Sequence, residues 1–145
     1  MPTSTTPTII LVEDDEGHAR LIEKNLRRAG VQNPIRHFTD GTTALAELLA
    51  EPTDTHRAFL ILLDLNLPDM SGADILIRLK ADARLRRAPV VILTTTDDQR
   101  EMQRCYDLGA SVYVTKPVIY EDFAAAIRQL GSFFAIVQIP ELAPV

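Results

Sequence analysis

The chain has 145 residues, 46% of them hydrophobic and 24% charged, with a formal net charge of −5. That length predicts one domain with a sizeable core, and the acidic balance excludes an ordinary nucleic-acid binder, which is basic. A single cysteine rules out an internal disulfide, no apolar run is long enough to cross a bilayer, and the chain reads as cytosolic.

Residues 1–7 have neither a basic region nor an apolar run, so they read as a disordered leader and not as a signal peptide. Thr8 to Val12 is a short, β-branched apolar run that ends on Glu13, Asp14, Asp15 and Glu16. Ala19, Ile22, Leu26 and Ala29 follow at helical spacing, with Gly30 as a stop and Lys24, Arg27 and Arg28 late in the helix, where its dipole favours cations. Pro34 to Phe38 is a weaker strand, with Asp40-Gly41 as its turn. Ala44, Leu45, Leu48 and Leu49 mark a second helix, stopped by Pro52.

Phe59 to Leu63 is unbroken apolar sequence that stops on Asp64, and Pro68 and Gly72 then force a loop. Such a run suits a strand buried on both faces of a parallel sheet. A third helix opens near Ser71-Gly72 and carries Ile75, Leu76 and Leu79. Arg84 to Pro89 reads as a solvated basic loop. Val90 to Leu93 is a fourth strand, ending on Thr94. A helix from Asp97 or Asp98 to Leu108, with Gly109 after it, leads to a fifth strand over Ser111–Thr115 that stops at Lys116-Pro117. A last helix starts near Glu121.

Five strands alternating with five helices predict an α/β fold with right-handed crossovers. The compact solution is a flavodoxin-like three-layer sandwich with strand order 2-1-3-4-5. Strands one and three are then central neighbours. Glu13, Asp14 and Asp64 meet at their C-terminal ends, and strands four and five bring Thr94 and Lys116 to the same edge. Two carboxylates about 4 Å apart repel by about 4 kcal/mol at an effective dielectric near 20. Such a cluster calls for a counter-charge, and its hard oxygens suit Mg2+ or Mn2+. Lys116 and Thr94 are placed to bind phosphate oxygens. An aspartate carboxylate is a competent nucleophile toward phosphorus.

Four stretches carry a resemblance: Ile10 to Asp15; Leu62 to Gly72; Val91 to Thr95; and Leu108 to Ala110 with Tyr113 to Pro117. In that order and at that spacing the chain resembles the CheY-like receiver domains of two-component response regulators, over residues 8–130. The resemblance implies Asp64 as phosphoacceptor, Asp14 as a direct metal ligand, Glu13 acting largely through water and Asn66 binding metal through its backbone carbonyl. It implies Thr94 and Lys116 as the phosphate-contacting switch pair, Tyr113 as the rotating aromatic, and a cis peptide before Pro117. Glu13 stands where many members have Asp. A sensor histidine kinase is the implied partner.

Residues 131–145 form an apolar extension, too short for an output domain. Ile127, Leu130, Phe134 and Val137 keep helical spacing across Gly131, so the last helix is expected to run to about Gln138. The stripe either folds back on its own domain or forms a homodimer seam, and the dimer is the expectation. Phe133-Phe134, Val137 and Ile139-Pro140, with Leu93-Thr94-Thr95, are similar to single-domain regulators paired with phytochrome-type kinases, which implies red-light signalling through a bacteriophytochrome.

His18, His37 and His56 read as surface histidines, and Cys105 as a packing residue. Two other functions share these features. A Mg2+-dependent phosphohydrolase of the haloacid-dehalogenase kind needs a second Asp two residues after the nucleophile, where this chain has Asn66. An inactive receiver would act as a docking platform, and the complete set of acids, Thr94 and Lys116 speaks against it.

Overall fold

A computed structural model describes residues 6–50 and 56–143. Pro52 and most of the expected leader lie outside them. The elements follow in the order β1 (Thr8–Val12), α1 (Glu16–Arg28), β2 (Ile35–Phe38), α2 (Gly41–Leu49), β3 (Phe59–Leu63), α3 (Gly72–Ala81), a 3-10 turn (Leu85–Arg87), β4 (Val90–Thr94), α4 (Gln99–Asp107), β5 (Val112–Thr115) and α5 (Tyr120–Phe134). The strands form one parallel sheet of order β2-β1-β3-β4-β5, as expected.

Side chains alternate along each strand, so each apolar run feeds two cores. Ile10, Val12, Phe59, Ile61, Leu63, Val90 and Ile92 pack with residues of α2 and α3. Ile9, Leu11, Leu60, Leu62, Val91 and Leu93 pack with residues of α1 and α5. All residues of β3 and β4 are buried. That is why these two strands read as continuous apolar sequence.

Helices α1 to α4 start where short polar side chains take up orphan N–H groups, whereas α5 starts after Ile119 with no side-chain cap. Asp15, Asp40, Ser71 and Asp98 each accept a hydrogen bond from the first turn of α1, α2, α3 and α4, a cap typically worth about 1 kcal/mol. The basic loop is less solvated than expected. Arg84 and Leu85 are buried, while Arg86 and Arg87 face water. Asp82 shapes this turn by accepting from the N–H groups of Arg84 and Leu85.

The C-terminal end departs most from expectation. Helix α5 crosses Gly131 but stops at Phe134, short of Gln138. Gly131 lies so close to α1 that a Cβ there would come 2.8 Å from the Cβ of Ala29. Beyond the helix the chain is drawn under the N-terminal edge of the sheet. Ile139 packs on the α1/α5 core and Leu142 enters the opposite core. Leu142 N–H donates to the Arg57 carbonyl at 2.7 Å, and Ala143 N–H to that of Arg84 at 3.2 Å. The tail therefore folds back on its own domain. Ile127 is wholly enclosed and belongs to the core. Leu130 and Phe134 also pack partly against that core.

Candidate functional site

The site forms where β1, β3 and β5 end. Parallel registers pair Val12 with Leu63, so the next residues, Glu13 and Asp64, emerge side by side. By strand alternation Glu13, Asp64 and Lys116 all lean toward the α1/α5 side. Lys116 is buried, and its ammonium donates to Glu13 Oε1 and, at 3.0 Å, to Asp64 Oδ2. Glu13 is 1% exposed and Asp64 7%. Burial pushes the Glu13 carboxyl up to about 7, against the pull of the neighbouring ammonium.

Asp14 stands at the mouth of the pocket and is exposed. One carboxylate oxygen from each of Glu13, Asp14 and Asp64 lies within 4.8 Å of the other two. Three hard oxygen donors at that separation fit Mg2+ or Mn2+ and do not fit a zinc site built on Cys or His.

The loop after β3 is held from three directions. Asn66 N–H donates to Asp64 Oδ1 at 3.1 Å. The Asn66 side chain reaches Thr94 Oγ1 at 3.4 Å and Thr96 Oγ1 at 3.3 Å. Gly72 brings the start of α3 against β3, where a Cβ would meet the Asp64 carbonyl oxygen at 2.3 Å. Asp69 then ties the loop to α2, accepting from Gly41 N–H at 2.9 Å, Thr42 N–H at 2.7 Å and the Thr42 hydroxyl. The Thr42 hydroxyl and those two N–H groups hold the Asp69 carboxyl down, to about 2.

Thr94 is fully buried. Tyr113 lies on β5, paired with Ile92 of β4. Its hydroxyl donates to the Thr96 carbonyl at 2.7 Å, and its N–H donates to the Tyr106 hydroxyl at 3.0 Å. Burial pushes the Tyr113 phenol up to about 12. The structure thus gathers Glu13, Asp14, Asp64 and Lys116 directly, joins Thr94 to them through Asn66, and joins Tyr113 through Thr96. The cis peptide expected before Pro117 is not found: no described peptide is cis. The trans form is the ordinary ground state of an X-Pro bond, by about 0.5–1 kcal/mol.

Two histidines read as surface residues touch this site. His18 Nδ1 lies 3.1 Å from Lys116 Nζ, and the ring packs edge-on against Phe123 of α5, with centroids 5.4 Å apart. His37 Nε2 meets the Glu13 carbonyl at 2.7 Å. For His18 a signal was present: it lies three residues after the Asp15 cap, on the first turn of the helix that leaves the acidic pocket.

Residues 9–128 match the response regulator receiver domain family. A crystal structure of a response regulator receiver domain from Rhodospirillum rubrum is 65% identical and superposes with a TM-score of 0.90, over 93% of this chain and 98% of that one. The phosphorylated cyanobacterial phytochrome response regulator RcpA is 32% identical, with a TM-score of 0.85 over 94% and 99% of the two chains. Response regulator Rcp1 of Synechocystis is 34% identical over 128 residues, 87% of each chain. Its Mn2+-bound crystal form superposes with a TM-score of 0.85, over 92% of this chain and 99% of that one. The chain belongs to the response regulator receiver domain family, whose members signal by phosphorylation of an aspartate.

Proposed function

We propose that this protein accepts a phosphoryl group on Asp64 from a sensor histidine kinase and signals through the resulting change in its surface. The observation that carries this reading is the pocket itself. Three carboxylates lie within 4.8 Å of one another, and a buried ammonium donates to two of them. Glu13, Asp14, Asp64 and the Asn66 carbonyl would hold Mg2+ or Mn2+. The ion supplies charge screening between the carboxylates and the incoming phosphate.

An Asp64 oxygen attacks phosphorus, an O–P bond forms, and the bond to the donor breaks with its electron pair leaving on the donor. Lys116 balances the negative charge and Thr94 donates a hydrogen bond to a phosphoryl oxygen. Thr94, through Asn66 and Thr96, carries the change to Tyr113. Attack of water on phosphorus returns the carboxylate and inorganic phosphate. The protein thus catalyses only its own phosphorylation and dephosphorylation, in the cytoplasm. No helix of the described residues is long and apolar enough to cross a membrane.

Incubation with acetyl phosphate and Mg2+ tests the reading. The expected result is a covalent phosphoryl adduct that is absent from Asp64→Asn. Continuous hydrolysis of p-nitrophenyl phosphate without an adduct would support the phosphohydrolase instead, and neither reaction would leave a docking platform.

The donor kinase in this reading is a bacteriophytochrome. RcpA, 32% identical, is a phytochrome response regulator. Phosphotransfer from a purified bacteriophytochrome kinase, faster than from an unrelated histidine kinase, is the expected outcome.

The homodimer is retained in this reading with a changed seam. An apolar groove of about 410 Å³ runs between β5 and α5, lined by Val112, Val114, Ala126, Leu130 and Phe133 among others. Phe133 and Ile136 stand exposed beside it. A groove beside α5 with the exposed Phe133 at its rim suits a two-fold contact between copies. Sedimentation is expected to show a dimer that Phe133→Asp dissociates and that Val137→Asp leaves intact, because Val137 faces a separate hollow beside Ile9, Asn33 and Ile139. A monomeric wild-type chain would remove the dimer from this reading.

A further inference from the structure

We infer that His18 is a positioning residue for phosphoryl transfer, acting as the neutral acceptor that holds Lys116 in the pocket. The inference rests on the assignment of Asp64 as phosphoacceptor. An ammonium has three donors and no acceptor. Those of Lys116 meet Glu13 Oε1, Asp64 Oδ2 and His18 Nδ1, from three different elements. Because Nζ cannot accept, Nδ1 must, which calls for the tautomer with the ring proton on Nε2.

Two of the three acceptors also belong to the carboxylate cluster suited to a divalent ion. His18 is the one that does not. It therefore remains committed to the ammonium when the two carboxylates have another cation to serve. The lysine stem is long and rotamer-rich, and without that anchor the ammonium is free to swing away from the phosphoryl oxygens.

His18 is itself fixed in three ways. Its backbone N–H donates to Asp15 Oδ1 at 3.0 Å, which fixes the residue on the first turn of α1. Its Nε2 lies 3.9 Å from Asp15 Oδ2. Phe123 holds the ring edge-on from α5. An unanchored surface histidine would have no reason to satisfy all of these contacts together.

The test has two arms. In 15N-labelled metal-free wild-type protein, the His18 imidazole is expected as the Nε2–H tautomer, with an unprotonated Nδ1, and its signals are assigned by their loss in His18→Asn. A ring protonated at Nδ1 would overturn the inference, and this arm needs neither a variant's activity nor the metal. The second arm compares His18→Phe, which keeps a ring against Phe123 but has no acceptor, with His18→Asn, whose Oδ1 stands near the place of Nδ1. Phosphorylation by acetyl phosphate at saturating Mg2+ is expected to slow about tenfold in His18→Phe, the loss of one charge-assisted hydrogen bond. His18→Asn is expected to restore most of the rate. Mg2+ affinity, read by titration calorimetry, is expected to be unchanged in both. A His18→Phe protein as fast as wild type, or a His18→Asn protein as slow as His18→Phe, would overturn the inference while leaving Asp64 as acceptor. A wild-type protein that forms no adduct would overturn both. Should His18→Phe not fold, His18→Leu takes its place.

Discussion

Replacing Lys116 by methionine removes the ammonium that stands between Glu13 and Asp64, both buried. Losing one partner of a buried ion pair is costly because the other charge stays without water. A loss on the order of 3 kcal/mol is expected for metal-free protein at pH 8, read by urea denaturation. The loss should shrink at pH 6, where Glu13 holds a proton. The sign follows from the raised Glu13 value. Its ordinary value is 4.5 and the folded value is about 7. Between those limits the folded state binds more protons than the unfolded one, so this group's contribution to metal-free stability falls as pH rises from 4.5 through about 7. At the proposed metal site, binding through the Glu13 carboxylate would displace that proton. Mg2+ affinity is therefore expected to be higher at pH 8 than at pH 6, and calorimetry in buffers of different ionisation enthalpy should detect proton release at pH 6 only.

At the scale of elements, the loop between β3 and α3 is positioned by a neighbouring helix as well as by its own turn. Asp69 gives both oxygens to the first turn of α2, where unpaired N–H groups and the helix dipole favour an anion. Its carboxyl is held down to about 2 from an ordinary 3.8. A depressed carboxyl stabilises the fold above its unfolded value and loses that contribution as pH falls through the folded value. Asp69→Asn is expected to melt at a lower temperature than wild type at pH 6, and the gap should close as pH falls from about 4 toward 2. Gly72 belongs to the same element junction. Its contact with the Asp64 carbonyl leaves no room for a side chain, so β3, its loop and α3 carry Asp64, the proposed phosphoacceptor, as one piece.

Across the whole molecule, the tail closes the end of the sheet opposite the pocket. Leu142 is 7% exposed and reaches the α2/α3 core from beneath. Truncating it to alanine is expected to cost about 2–3 kcal/mol in urea denaturation. The rate of phosphorylation by acetyl phosphate should not change, because the tail and the pocket lie at opposite ends of the strands. An equal loss of both would mean that the two ends are coupled.

The sheet order, the burial of β3 and the convergence of Glu13, Asp14, Asp64, Thr94 and Lys116 on one edge were all legible in the chain. Each follows from local signals: apolar runs of strand length, a charged or polar residue at their ends, glycine or proline at the breaks. Parallel topology then carries strand ends to a common rim. What required tertiary structure is every contact between side chains that no local period relates. His18 and Lys116 are 98 residues apart, and Asp69 and Thr42 are 27 apart. The helical spacing of Ile127, Leu130, Phe134 and Val137 identified an apolar stripe but could not say which surface covers it. Packing of α5 on α1 and the return of the tail decided that Ile127 is core and that the helix ends at Phe134. Periodicity records which side chains share a face, and only the folded chain decides what lies against that face.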